Sequence, residues 1–184
     1  VIYLAAAVTG FAFFSLEIVW YRMLAPILGG TTFTFGTILG VALLGIGLGG
    51  LAYNWVFLRW FRPTLAALAA TFALEALAIV FPFALGDRLA VLAAWYNQTA
   101  GSFADLAIGW LAITSIVVLP AALVSGLQFP LLIALLGEGR GEIGRHVGVA
   151  YAWNTAGAIS GSLVAGFGAL PILSAPGMWI GVGG

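Results

Sequence analysis

The sequence contains few charged residues. Only 7% of its 184 residues are charged, whereas soluble proteins average about 25%. The chain has no lysine, and its arginines balance its acidic residues, so the formal net charge is zero. This composition excludes the clustered basic surface that a nucleic-acid-binding protein needs, and we therefore expect no nucleic-acid partner.

Cysteine is absent, and His146 is the single histidine. The absence of cysteine excludes disulfides, thiol catalysis and cysteine-ligated metals, and one histidine cannot build a zinc site alone. The sequence also has no recognisable nucleophile–base constellation. We therefore expect no catalytic residue, no metal site and no cofactor in this chain itself.

Long apolar runs are what the sequence has instead. No charged residue lies between Arg22 and Arg59, within 106–137 or after Arg145. A bilayer core requires about 20 apolar residues per helix, and backbone groups in lipid must bond within their own segment. The sequence predicts an all-α membrane bundle of five to six transmembrane helices, a single domain over residues 1–184. The predicted spans are 2–25, 33–57, 63–86, 106–136 and 146–170, with a sixth beginning near Pro176.

Arginines in the short connections predict the orientation. Positive residues mark cytoplasmic loops, and two such loops separated by two spans can lie on one side. The lysine-free, alanine- and glycine-rich composition is compatible with a GC-rich bacterial gene, which suggests a bacterial inner membrane. The N-terminus and the loops 58–62 (Arg59, Arg62) and 137–145 (Arg140, Arg145) are predicted to be cytoplasmic.

The connection at 87–104 faces the other side in this topology. Leu89, Leu92, Trp95 and Tyr96 fall at helical spacing there. Aromatic side chains favour the headgroup region, so we expect an amphipathic helix lying in the interface between spans 3 and 4.

Two glycine pairs have the GxxxG spacing that allows membrane helices to approach closely. Gly36 and Gly40 form one pair in the second span, and Gly157 and Gly161 form another in the fifth. Small residues let helix backbones make van der Waals contact where lipid provides little hydrophobic drive. Either helix packing within the chain or a homodimer interface fits this pattern.

Several polar residues fall within the predicted spans. Glu17 and Tyr21 are four apart and share a helix face, whereas Arg22 points elsewhere, and Glu75 lies in the middle of the third span. Charges at membrane depth are costly and usually have partners. These groups are expected to form either a buried structural network or a cation-binding cavity.

The fourth and fifth spans add uncharged polar residues. Pro120 and Pro130 predict kinks or a break in the fourth span, which also carries Gln128. Tyr151 and Asn154 share a face of the fifth span. With Gln128 they are candidates for hydrogen bonds between helices and for ligand binding.

Four segments together resemble the N-terminal membrane region of spermidine synthase-like proteins, the polyamine aminopropyltransferases that carry a helical bundle. The first and last segments are the most specific. They are GFAFFSLEIVWYR at 10–22, LGG at 28–30, SGLQFP at 125–130 and GRHVGVAYAWNTAGAISGS at 144–162, followed by Leu170-Pro171.

This resemblance implies a soluble domain of Rossmann-type methyltransferase fold after the bundle. That domain transfers an aminopropyl group from decarboxylated S-adenosylmethionine to a diamine such as putrescine. No nucleotide-binding glycine loop of that kind is visible in residues 1–184. Because the chain begins and ends within apolar runs, we expect it to be a fragment, with the catalytic domain following residue 184.

Three functions remain open at this point. The first is an anchor, with a possible homodimer, for a cytoplasmic aminopropyltransferase domain. The second is a polyamine- or cation-binding or transport module that uses Glu17 and Glu75, with aromatic rings offering cation–π contacts. The third is a structural bundle without a ligand. The candidate ligand-binding residues are Glu17, Tyr21, Arg22, Glu75, Gln128, Tyr151 and Asn154.

Overall fold

The computed structural model describes residues 1–137 and 143–183, and every regular element in that part of the chain is helical. Five helical runs are long and apolar enough to cross a membrane, which confirms the predicted all-α bundle. In chain order the helices are α1 (Ile2–Leu28), α2 (Thr32–Trp60, with a π-helical turn at Tyr53–Phe57), α3 (Leu65–Leu85), α4 (Asp87–Thr99), α5 (Phe103–Leu135), α6 (Ile143–Leu163) and α7 (Leu170–Gly183), with a π-helical segment Val164–Ala169 between the last two.

Hydroxyl side chains begin three of these helices. Thr31 accepts a hydrogen bond from the Thr34 amide at 3.4 Å before α2, and Thr64 accepts one from the Ala67 amide at 3.1 Å before α3. Ser102 performs the same role before α5. These caps satisfy amide groups that the first helical turn leaves without partners, and they fix the helix starts close to where the apolar runs begin.

Helix α5 lies at the centre of the bundle. It contacts α1, α2, α3, α4 and α6. Half of the residues in its most apolar 18-residue stretch are buried, the largest share among the described spans. It remains helical through Pro120 and Pro130, so of the two predicted outcomes, kinks or a break, the break does not occur. Proline is tolerated here because lipid cannot replace the remaining backbone hydrogen bonds and neighbouring helices support the chain.

Helices α1 and α6 pack directly through glycine. A Cβ atom at Gly157 would lie 2.9 Å from the Ala7 Cα, and one at Gly161 would lie 2.8 Å from the Phe11 Cα. Real side chains do not tolerate such distances to backbone atoms. This glycine pair therefore packs within the chain, and only glycine permits the observed approach of the two helices.

Helices α2 and α5 pack through different glycines from those predicted. Gly45 and Gly49 lie against the α5 backbone, and Gly126 of α5 lies against α2. Among the described residues, a Cβ at Gly36 or Gly40 would meet nothing within 4 Å, so this pair does not pack within that part of the chain, and of the two predicted roles only the homodimer interface remains for it. The GxxxG spacing defines a helix face, but the rotation of α2 turns that face away from α5.

The helix predicted between the third and fourth spans is α4. Leu89, Leu92 and Tyr96 pack against the core, whereas Trp95 is 56% exposed. The Asn97 side chain donates a hydrogen bond to the Ile27 carbonyl oxygen at 3.3 Å. Helix α4 is therefore amphipathic, and this hydrogen bond holds it against the carboxyl end of α1.

The last helical segment contains a break at Ser174, whose φ of 63° is left-handed. Beyond the break, the Trp179 indole donates to the Ile79 carbonyl oxygen of α3 at 2.7 Å. The predicted start of a sixth helix near Pro176 thus falls within α7, just after this break. Most of the predicted arginine loop, at 138–142, lies outside the described residues, as does Arg140.

Candidate functional site

A groove opens on the side of the bundle between the second half of α1 and the start of α2. Its volume is about 710 Å³. We call it the Glu17 groove, and the residues that define it are Phe14, Glu17, Tyr21, Thr31, Thr32 and Phe35.

Helical spacing explains how α1 contributes to this groove. Phe14, Glu17 and Tyr21 lie three and four residues apart, so their side chains project from one face. The Tyr21 ring meets Phe35 of α2 edge to face, with centroids 5.9 Å apart and planes at 82°. Glu17 is half-buried and forms no hydrogen bond or ion pair in the described part of the chain. The groove therefore combines one unpaired carboxyl with aromatic walls.

Arg22 lies outside the Glu17 groove but close to it, because the groove that Arg22 lines shares Ile18 and Tyr21 with the Glu17 groove. It lines a second groove, of about 830 Å³, together with Leu170 and Ser174 near the α7 break. Among the described residues it forms no ion pair. Five residues correspond to about 140° around a helix, which explains why the neighbouring charges on α1 diverge.

Glu75 is buried and is held by α5 rather than by any charged residue. Its side chain is 4% exposed, and its Oε2 accepts a hydrogen bond from Gln128 Nε2 at 2.6 Å. Within the described part of the chain, Glu75 Oε1 and Gln128 Oε1 have no hydrogen-bond partner. Among the described residues the expected network of two carboxylates and an arginine is not formed, because Glu75 is buried against α5 while Glu17 and Arg22 line two adjoining grooves.

The polar face of α6 joins α1. Asn154 Nδ2 donates to the Ala6 carbonyl oxygen at 3.0 Å. Tyr151 is 64% exposed and meets the Phe129 ring at a centroid distance of 6.3 Å. Asn154 and Tyr151 line a smaller groove of about 230 Å³ that reaches Ser125. The expected hydrogen bonds between Gln128 and this face are absent, because Gln128 points to Glu75 instead.

Sequence reasoning missed several residues that hold or line these sites. Ser15 donates its hydroxyl hydrogen to the Gly161 carbonyl oxygen at 3.2 Å, linking α1 to α6. Phe14 could have been found from its helical spacing to Glu17, but no local signal shows that Phe35 faces the same groove. That placement depends on how α2 is rotated against α1.

The described residues contain no group of three or more His, Cys, Asp or Glu side chains close enough to hold a metal ion. The polar chemistry that they do present consists of one open carboxyl beside aromatic rings and one buried carboxyl–amide pair. Comparisons with protein-family models, curated proteins and solved structures find no match to this chain.

Proposed function

We propose that this chain is the membrane module of a spermidine synthase-like polyamine aminopropyltransferase. In this proposal the bundle sits in a bacterial inner membrane and anchors a cytoplasmic catalytic domain after residue 184. The five helical runs long and apolar enough to span a membrane support the anchoring role. The resemblance of segments 10–22, 28–30, 125–130 and 144–162 to that family supports the choice of catalytic domain.

One observation carries the proposal: the two most specific of these segments meet in a single helix–helix interface. Gly10 lies against the Asn154 backbone, and Ser15 bonds to the Gly161 carbonyl oxygen. Residues that carry the family resemblance therefore hold α1 against α6. A sequence pattern that encodes bundle assembly is what an anchoring module requires.

Enzyme activity tests the catalytic part of the proposal. Membranes containing the full-length protein should convert putrescine and decarboxylated S-adenosylmethionine to spermidine and methylthioadenosine, because the amine nitrogen displaces the thioether and releases a proton. Removal of residues 1–184 should move this activity from the membrane fraction to the soluble fraction. Membranes that form no aminopropylated product from any diamine would contradict the proposed enzyme class.

Cysteine labelling tests the orientation, since the chain has no cysteine of its own. Gln98→Cys should react with an impermeant maleimide on intact spheroplasts, whereas Arg62→Cys should react only after the membrane is permeabilised. The reverse pattern would place the catalytic domain on the wrong side of the membrane for cytoplasmic substrates.

The alternative of a polyamine-binding or transport module is favoured by one specific observation, the unpaired Glu17 in its aromatic groove. If the bundle neither anchors a catalytic domain nor binds an amine, the remaining function is that of a structural bundle without a ligand.

A further inference from the structure

We propose that the Glu17 groove binds a primary ammonium group. The group is supplied either by a soluble diamine or polyamine or by the headgroup of a phosphatidylethanolamine lipid. The inference rests on the groove alone and does not depend on a catalytic domain following the bundle.

Glu17 has no counter-charge among the described residues. The residue lies about 16 Å along the helix axis from Leu28, at 1.5 Å per residue, within a helix long and apolar enough to cross a membrane. Charged groups at such depth face partners or cavities because lipid does not solvate them. Arg22 lines the adjoining groove, which shares Ile18 and Tyr21 with this one, but Glu17 forms no ion pair with it or with any other described residue. A cation from outside the chain would supply the missing charge.

The walls of the groove carry aromatic and hydroxyl side chains. Phe14, Tyr21 and Phe35 line the same groove as the Glu17 carboxyl. Ring faces attract ammonium groups, and the attraction increases where water is excluded. Thr31 and Thr32 add hydroxyl groups at the start of α2. An ammonium group can donate hydrogen bonds to a carboxylate and to hydroxyl oxygens at the same time.

The oxygen ligands and the volume of the groove determine which kind of cation fits it. Calcium takes about six to eight oxygen ligands, and magnesium needs near-octahedral geometry, but the groove offers a single carboxylate. Its volume of about 710 Å³ lies within the range of about 300–1,000 Å³ typical of organic ligand sites. One carboxylate with aromatic walls and this much space favours an organic ammonium ion over a bare metal ion.

Calorimetry tests the soluble source of the ammonium group. The purified chain in dodecyl maltoside, an uncharged detergent, is titrated with putrescine at low ionic strength. We expect saturable binding that Glu17→Gln weakens about tenfold or more, since a charge-assisted hydrogen bond is lost. The matched control is Asp87→Asn, which removes the same charge from the start of α4, outside the groove. The Asp87→Asn variant should bind putrescine with the same affinity as the parent chain.

Native mass spectrometry tests the lipid source. Phosphatidylethanolamine retained by the parent chain and by Asp87→Asn, but lost from Glu17→Gln, would support the site with a lipid as its occupant. The proposal is overturned if neither putrescine nor this lipid binds to folded, monodisperse protein. It is also overturned if Glu17→Gln and Asp87→Asn reduce binding equally, because that result indicates only general charge attraction.

A second variant keeps the test decisive if Glu17→Gln does not fold. Phe35→Leu retains the carboxylate but removes an aromatic wall, and it should weaken binding about two- to fivefold. Unchanged affinity in this variant would overturn the proposal. No catalytic domain takes part in these binding measurements. Their outcome therefore does not depend on whether the aminopropyltransferase assay succeeds or fails.

Discussion

Replacing Gly157 by alanine tests the α1–α6 interface with a single methyl group. The new Cβ would lie 2.7 Å from the Ala7 carbonyl carbon and 2.9 Å from its Cα, where ordinary contacts begin at 3.4 Å. These neighbours are backbone atoms, so no side-chain rotation can relieve the clash. Helices α1 and α6 must therefore move apart by a substantial fraction of an ångström.

The cost can be estimated from what this separation disturbs. Overpacking of a well-packed interface costs about 1–3 kcal/mol. The hydrogen bonds from Asn154 to the Ala6 carbonyl oxygen (3.0 Å) and from Ser15 to the Gly161 carbonyl oxygen (3.2 Å) cross the same interface. Such interhelical bonds average about 0.6 kcal/mol in membrane proteins. We expect Gly157→Ala to lower the free energy of unfolding by about 2–4 kcal/mol.

Thermal unfolding in detergent, followed by size-exclusion chromatography, measures this effect. Gly148→Ala is the matched control, because it makes the same change on the same helix where a Cβ meets nothing within 4 Å. The control should be neutral or slightly stabilising, since alanine favours helix over glycine. If both variants melt at the same temperature as the parent chain, the reasoning about this interface is refuted.

Three further predictions use the same stability assay. Gln128→Leu should cost about 2–3 kcal/mol, because it leaves the buried Glu75 carboxyl without its amide donor, whereas Glu75→Gln should be close to neutral; equal effects would contradict the pairing. Trp179→Phe should cost about 1 kcal/mol through loss of the hydrogen bond to Ile79, and an unchanged melting temperature would show that α7 does not depend on this contact. Gly45→Leu should destabilise the bundle while Gly36→Leu should not, because only the first lies against α5. A change of oligomeric size in Gly36→Leu alone would support the homodimer alternative.

The helical spans could be predicted from sequence because lipid leaves the backbone few alternatives. A long apolar run must satisfy its own amide and carbonyl groups, so run length nearly fixes the helix. The predicted spans 63–86 and 106–136 correspond to helices Leu65–Leu85 and Phe103–Leu135. The amphipathic pattern between them likewise predicted a separate helix, Asp87–Thr99.

The candidate sites could be predicted only in part. Helical spacing placed Glu17 beside Tyr21 and directed Arg22 elsewhere, because these relations lie within one helix. Nothing in the sequence indicated that Glu75 and Gln128 are partners, since 53 positions separate them. Their pairing depends on how two different helices are rotated.

The two glycine pairs show most clearly which properties the sequence determined by itself and which only the tertiary structure decided. Both have the GxxxG spacing, yet Gly157 and Gly161 contact α1, whereas Gly36 and Gly40 lie open. Sequence alone determined that the chain forms membrane-length helices and which residues share each face, because helix geometry and lipid are local constraints. The tertiary structure decided which faces meet, because packing depends on the mutual rotation of all the helices, and it thereby left Glu17 in an open groove and buried Glu75 against an amide.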